Sequence, residues 1–187
     1  MNLDEALNVL RQGGVLAHAT ETCYGLAVDP YNEKALQRLA EVKQQPVDKP
    51  VTLLVSSLDE AQKIAEFSPK ALELAHRYWP GPLTLILPRK AALPAWVNPG
   101  HGSIAVRVSS HPQVQELLRA FGGPITSTSA NVHGQKEVYA VEDFLAQGLK
   151  PDWILDSGVL PFEKPSTLVE VVEDELRVLR QGSLVLE

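Results

Sequence analysis

Residues 32–55 read NEKALQRLAEVKQQPVDKPVTLLV, and this stretch decides the fold class. Asn32 is placed to cap a helix, because its amide oxygen can accept from the open N–H groups of a first turn. Ala35, Leu36, Leu39 and Ala40 then recur on one face at the helical period, to about Lys43. Gln44 to Pro50 cannot continue that helix, because Pro46 and Pro50 interrupt it. Val51 to Val55 is a continuous apolar run of strand length, as expected of a strand buried on both faces. A capped amphipathic helix, a breaking loop and a buried strand make an α/β unit.

The same alternation extends outward. Upstream, a helix spans Asp4 to Gln12, acidic at its start and stopped by Gly13-Gly14. A strand at Val15–His18, a polar loop from Ala19 to Tyr24 and a strand at Gly25–Val28 follow. Downstream, Ser57 caps a helix through Ile64, and Ser68-Pro69 opens one ending near Trp79. Strands at Leu83–Leu87 and Ser103–Val108 flank a loop at 88–102. A helix from Pro112 to Phe121 is stopped by Gly122-Gly123-Pro124. Ile125–Ser127 is a short strand and Val141–Gln147 a helix. Trp153–Asp156, Thr167–Val172 and Leu176–Leu179 are late strands, with Glu173-Asp174 as a turn that lacks the usual glycine. The fold class is α/β, a twisted open mixed sheet with helices on its faces. Sites in such sheets gather at the C-terminal ends of strands, here after His18, Val108 and Ser127.

Composition narrows the function classes. The chain has 187 residues, 44% hydrophobic and 21% charged, which excludes a disordered tail, a collagen-like rod and a coiled coil. Cys23 is the single cysteine, so neither an intramolecular disulfide nor a Cys-rich zinc site can form. The net charge of −6 counts against a nucleic-acid-binding protein. The first fourteen residues contain Asp4, Glu5 and Arg11, unlike a signal-peptide core, and nothing approaches a membrane span. The expected location is the cytoplasm.

Five segments carry polar groups in suggestive places. Thr20-Glu21-Thr22-Cys23-Tyr24-Gly25 follows a strand; it is either a turn whose hydroxyls bond their own backbone or a binding loop. Cys23 lacks a Cys-His pattern, which disfavours a nucleophile. Lys43 and Lys49 flank a proline-rich loop; Lys43 either complements a helix C-terminus or joins Lys49 over a phosphate. Ser127-Thr128-Ser129-Ala130-Asn131 reads as a capped turn or a neutral anion site. Arg107, inside an apolar strand, either meets an internal carboxylate or faces an anionic ligand. Lys164-Pro165-Ser166-Thr167 enters a strand. His18, His76, His101, His111 and His133 lack zinc spacing, and there is no Walker A loop or GxGxxG.

Taken in order, these segments resemble the YrdC-like family, and within it the single-domain bacterial threonylcarbamoyl-AMP synthases. The resemblance rests on Ala19-Thr20-Glu21-Thr22-Cys23-Tyr24-Gly25-Leu26, on Lys43 with Gln45-Pro46 and Asp48-Lys49-Pro50, and on Trp79-Pro80-Gly81-Pro82-Leu83-Thr84. It continues through Ala105-Val106-Arg107-Val108 with His111-Pro112, Ser127-Thr128-Ser129-Ala130-Asn131 and Pro165-Ser166-Thr167-Leu168. It implies one YrdC-like domain over residues 1–187 with a central cleft, without the extra C-terminal domain of longer members.

The implied reaction joins L-threonine, bicarbonate and ATP into threonylcarbamoyl-adenylate and pyrophosphate, for the N6-threonylcarbamoyl modification of adenosine 37 in tRNA. By the resemblance, Lys43 and Arg107 are catalytic. Lys43, Gln45, Lys49, Arg107, Ser127, Ser129 and Asn131 bind ATP. Thr20, Thr22, Tyr24, Ser166 and Thr167 bind threonine and bicarbonate. ATP arrives as a substrate with Mg²⁺, which relies largely on phosphates and waters; no protein metal site and no tightly bound cofactor are expected. The implied partner is a downstream tRNA-modifying transferase complex, with at most weak direct tRNA binding and no membrane. Two positions depart from the family: Ala19 replaces a proline, and Gln45 replaces an arginine. Losing a charged hydrogen bond costs on the order of 1.5–3 kcal/mol, about tenfold to hundredfold in affinity. The alternatives are a YrdC-like paralogue that binds tRNA or double-stranded RNA, or one that handles a different carbamoyl-adenylate.

Overall fold

The computed structural model describes residues 3–132 and 134–186. Met1, Asn2, His133 and Glu187 lie outside the described residues, and with them the reading of His133. In chain order the elements begin α1 (Leu3–Arg11), β1 (Leu16–Ala19), β2 (Tyr24–Ala27), α2 (Glu33–Lys43), β3 (Thr52–Leu54), α3 (Leu58–Ile64) and α4 (Pro69–Tyr78). They continue β4 (Leu83–Pro88), β5 (Ser103–Arg107), α5 (Pro112–Phe121), β6 (Ile125–Ser129), α6 (Val141–Ala146), β7 (Trp153–Leu155), β8 (Thr167–Val172) and β9 (Glu175–Arg180).

Local chemistry explains the boundaries. Asn32 Oδ1 accepts from Ala35 N at 3.3 Å, and Ser57 and Ser68 cap α3 and α4 in the same way. Helix α2 ends because Gln44 turns into the left-handed region at φ 52°, where its N–H reaches back to the last carbonyls. Gly122 does the same for α5 at φ 81°. Glu173 and Asp174 both adopt positive φ, 48° and 66°, so the β8–β9 hairpin forms its twisted turn without glycine. The Asp174 carboxylate accepts from Lys70 N at 3.0 Å, which anchors that turn to α4.

The strands form one nine-stranded sheet in the order β7-β1-β2-β6-β3-β5-β4-β8-β9. It is mixed, as expected. β1–β7, β3–β5 and β4–β8 are parallel, and the remaining neighbours are antiparallel. Strand β6 is longer than its sequence indicates, because Thr128 and Ser129 pair with Leu26 and Gly25 of β2. Polar residues hold a central strand here, so apolar pattern alone stops two residues short.

Alternation splits the apolar residues between two layers. On one face Ala17, Leu26, Leu53, Leu85 and Val106 pack with α2, α3, α4 and Phe144 of α6. On the other, Leu16, Ala27, Leu54 and Ile125 pack under Leu7 and Leu10 of α1 and Leu117 and Leu118 of α5. The second layer covers only part of its face, and the uncovered part holds the site. Among the described residues no helix is long and apolar enough to cross a membrane.

Candidate active site

Register brings the polar groups together. Thr52 of β3 lies opposite Ser127 of β6 and also Ala105 of β5, Leu54 lies opposite Arg107, and Gly25 of β2 lies opposite Ser129. These positions share one face. Along β6 the side chain at 125 is isoleucine, beneath the helices, whereas 127 and 129 are serines beyond them. The result is a cleft of about 260 Å³ whose floor is the sheet face itself. Thr20, Thr22, Thr52, Thr84, Ser127, Ser129 and Ser166 line it with hydroxyls, and Lys49, Arg107 and Arg180 with positive charge. Glu137, from the segment between β6 and α6, adds a carboxylate. The expectation of a site at strand ends is therefore met only by its rim; the floor is strand face, because β6 carries serine where a covered sheet would carry aliphatic residues.

Gly25 makes the floor possible. A Cβ there would sit 2.9 Å from Ser127 Oγ and 3.2 Å from His18 Nε2. His18 is fully buried behind it, and burial pushes its pKa down to about 4, so the ring is neutral near pH 7. Its Nδ1 lies 3.1 Å from the Ala19 carbonyl.

The loop after β1 combines both readings open at the sequence level. Thr20 Oγ1 donates to the Cys23 carbonyl at 2.8 Å and accepts from the N–H groups of Thr22 and Cys23, a hydroxyl-closed turn. Thr20 and Thr22 nonetheless line the cleft. Burial pushes the Cys23 thiol above its usual pKa, which disfavours the thiolate a nucleophile requires. Tyr24 borders the cleft, but its hydroxyl donates toward Asp156 and the Gly158 carbonyl at 2.9 and 2.8 Å and accepts from Ser157 N. Its ring packs on Phe144, with centroids 5.9 Å apart.

Arg107 meets an internal carboxylate and also borders open space. It lines the cleft, and its Nη2 pairs with Glu21 Oε1 at 2.8 Å. Burial raises the Glu21 carboxyl, but Arg107 and Ser109 outweigh that and hold it below its usual pKa.

The lysine loop divides. Lys49 lines the cleft. Lys43 does not; it is 2% exposed, and its Nζ donates to the carbonyls of Ser129 and Asn131, the latter at 3.0 Å. Burial, with Lys49 adding repulsion, pushes its pKa down to about 8. Gln45 does not line the cleft but a small adjoining cavity, with Val47, Trp96 and Asn98, that shares Lys49 with it. Asn131 is also off the cleft wall; its Nδ2 donates to the carbonyls of Val132 and Gln135, closing a turn.

Ser166 is buried at the cleft's other end, 2.7 Å from Thr84 Oγ1. Thr167 turns away, its hydroxyl donating to the Leu184 carbonyl at 2.5 Å. Segment 88–102 is tied down by Arg89, which donates to the carbonyls of Leu93, Pro94 and Val97, and by Asn98, which pairs with the Val51 backbone.

Sequence reasoning passed over Arg180, Thr84, Thr52 and Glu137 as site residues. Arg180 donates twice to the Ser166 carbonyl, at 3.2 and 3.0 Å. A usable signal was Gly182: a Cβ there would lie 2.0 Å from the Pro165 carbonyl oxygen, so the chain end must press against the Pro165-Ser166 segment. Thr84 and Thr52 sit in apolar runs, where a lone threonine is unremarkable. Among the described residues, no group of three or more His, Cys, Asp or Glu is placed to hold a metal ion.

Comparison with known proteins shows the family. The Sua5, YciO and YrdC family, described as telomere recombination, matches residues 8–182. A threonylcarbamoyl-AMP synthase of Vibrio parahaemolyticus is 38% identical over 185 residues, covering 97% of this chain and 99% of that protein. The structure of P. abyssi Sua5 complexed with L-threonine superposes with a TM-score of 0.89 at 32% identity, covering 96% of this chain and 54% of that one. The chain thus spans about half the length of that relative. E. coli YciO superposes with a TM-score of 0.86 at 28% identity, covering 96% of this chain and 88% of that one.

Proposed function

The chain belongs to the Sua5, YciO and YrdC family, and from that premise we propose that it is a threonylcarbamoyl-AMP synthase. The observation that carries the reading is the near end-to-end identity with proteins of that name, at 38% over 97% of the chain. The cleft suits the chemistry. L-Threonine and ATP are the substrates. The threonine nitrogen takes up the carbon of bicarbonate to give a carbamate, with loss of water. A carbamate oxygen then attacks the α-phosphorus, and pyrophosphate leaves.

No protein nucleophile is needed for this. The requirement is alignment of two reactants and positive charge on the phosphates. Lys49, Arg107 and Arg180 supply charge along the wall. Ser127, Ser129 and Ser166 supply neutral donors, and Thr20 and Thr22 shape the small-substrate end. Lys43 and Asn131 act one layer back: Lys43 braces the backbone that carries Ser129, and Asn131 holds the following turn. Mg²⁺ would enter on the ATP phosphates, retaining several waters. We assign the reaction to the cytoplasm, the compartment of ATP and tRNA, and its product to a tRNA-modifying transferase.

The test is direct. Purified protein with ATP, Mg²⁺, threonine and bicarbonate should yield threonylcarbamoyl-adenylate by mass spectrometry, with equimolar pyrophosphate. Omitting either threonine or bicarbonate should abolish both. Pyrophosphate released with another amino acid in preference to threonine would overturn the reading in favour of a different carbamoyl-adenylate.

A further inference from the structure

Glu21 is a carboxylate paired with the cleft-lining Arg107, and the synthase reading gives it no task. Its side chain is 19% exposed, against 7% for Arg107. It is held by the segment after β5: Oε2 accepts from Ser109 Oγ, and Oε1 accepts from Ser110 N at 3.2 Å. Ser109 Oγ in turn accepts from His111 N at 3.2 Å. The loop after β1 and the segment after β5 are thereby locked together at one point.

That point is where Arg107 is gripped. Its Nε donates to the Gly81 carbonyl at 3.2 Å and its Nη1 to Thr22 Oγ1 at 3.4 Å. Nη2 pairs with Glu21 Oε1 at 2.8 Å. These contacts occupy three of the five N–H donors of the guanidinium, on a side chain that also lines the cleft. The remaining donors point to an acceptor brought by the ligand. A buried ion pair is also poor evidence of a purely stabilising role, because such pairs rarely outperform apolar packing.

We propose that Glu21 is the positioning residue for Arg107: it holds the guanidinium in one orientation against the cleft wall, with the remaining N–H groups left for the reacting ligand. Glu21 touches no substrate itself. Its charge also offsets part of the cost of burying the Arg107 cation. Removing it leaves a cation that still attracts ATP but no longer meets the transition state at a fixed angle. The expected signature is a fall in kcat with ATP binding unchanged or tighter. Generic damage to the fold would do the reverse and weaken binding.

The proposal rests on the synthase reading for its kinetic arm only. Glu21→Ala, Glu21→Gln, Arg107→Ala and the Glu21→Ala/Arg107→Ala double variant are compared with the parent enzyme. Glu21→Ala should lower kcat about tenfold to hundredfold, the usual range for a lost charged hydrogen bond, while the KM for ATP does not rise. Glu21→Gln, which retains an acceptor for Arg107, should recover part of that loss. In the Arg107→Ala background Glu21→Ala should have no further effect, because the group it positions is gone. Additive effects of the two substitutions, or a raised KM with unchanged kcat, would overturn the proposal. If the parent enzyme makes no threonylcarbamoyl-adenylate, the synthase reading fails, and calorimetric binding of ATP and of threonine takes over. Coupling between positions 21 and 107 in either titration supports the positioning role, and independent effects overturn it. Should Glu21→Ala fail to fold, the near-isosteric Glu21→Gln carries the same cycle.

Discussion

Lys43 Nζ donates to the Asn131 carbonyl at 3.0 Å and to the Ser129 carbonyl, so the lysine braces the end of β6 from beneath the cleft. Lys43→Met keeps the length of the side chain and removes the donor. Both carbonyls then lose a charged partner, at a cost of roughly 1.5–3 kcal/mol. We expect a lower Tm together with at least tenfold weaker ATP binding, since Ser129 shifts with its backbone. Calorimetry on a variant shown to be folded checks this. Full activity with an unchanged Tm would refute the bracing role.

The same lysine predicts a pH dependence. Burial holds its folded pKa at about 8, below the value of about 10.4 expected in the unfolded chain. Below pH 8 both states carry the proton, and the folded protein bears the full cost of a buried ammonium. Between pH 8 and 10.4 the unfolded state binds the proton that the folded state has released, so stability rises with pH. Measured against Lys43→Met, which lacks the titrating amine, the parent should gain on the order of 3 kcal/mol across that window. Parallel curves would show that the ammonium is not desolvated.

Gly25→Ala should damage the site while sparing the fold. The added methyl would fall 2.9 Å from Ser127 Oγ, too close for either group to stay where it is. We expect kcat/KM to drop at least tenfold while circular dichroism is unchanged. Gly123→Ala is the control, since its new methyl meets nothing nearer than Phe121 at 4.0 Å.

Gln45→Arg tests the departure from the family pattern. At the sequence level a restored arginine is expected to tighten ATP binding. Gln45, however, lines a small adjoining cavity with Val47, Trp96 and Asn98; Lys49 and Val51 border both cavity and cleft, whereas Gln45 does not line the cleft. The structure therefore predicts an ATP Kd changed by less than about threefold, within the range of an exposed charge acting through solvent. A tenfold tightening would show that the loop carries position 45 onto the nucleotide.

Tyr24→Phe should act on stability rather than chemistry. The hydroxyl ties β2 to Asp156, Ser157 and Gly158, which occupy its hydrogen-bonding capacity. Its loss should cost about 1–3 kcal/mol, read by denaturant unfolding, with kcat preserved within about threefold. A large kcat effect in a stable protein would return the phenol to the small-substrate end.

The elements were legible because their causes are local. Asn32, Ser57, Ser68-Pro69 and Gly122 each act within one turn of themselves, and the apolar period of α2 is visible in eleven residues. The ordered motifs, read in sequence, also identified the family. Strand β6 was cut short because Thr128 and Ser129 are held by β2, a partner about a hundred residues away. The apolar run implies a Thr52 buried on both faces, yet it faces the cleft, because the covering helices α1 and α5 stop over Leu54.

The site's membership was decided in the same non-local way. Lys43 and Lys49 are equivalent as charges in a string of residues, but only Lys49 lines the cleft, since Lys43 ends a helix whose last turn faces β6. Arg180 enters because β9 pairs with β8 and brings it against Ser166. Caps, periods and motif order belong to the sequence, since each depends on neighbours within a few bonds. Which hydroxyls and charges share a surface depends on strand register and on where a covering layer ends, and only tertiary packing sets those.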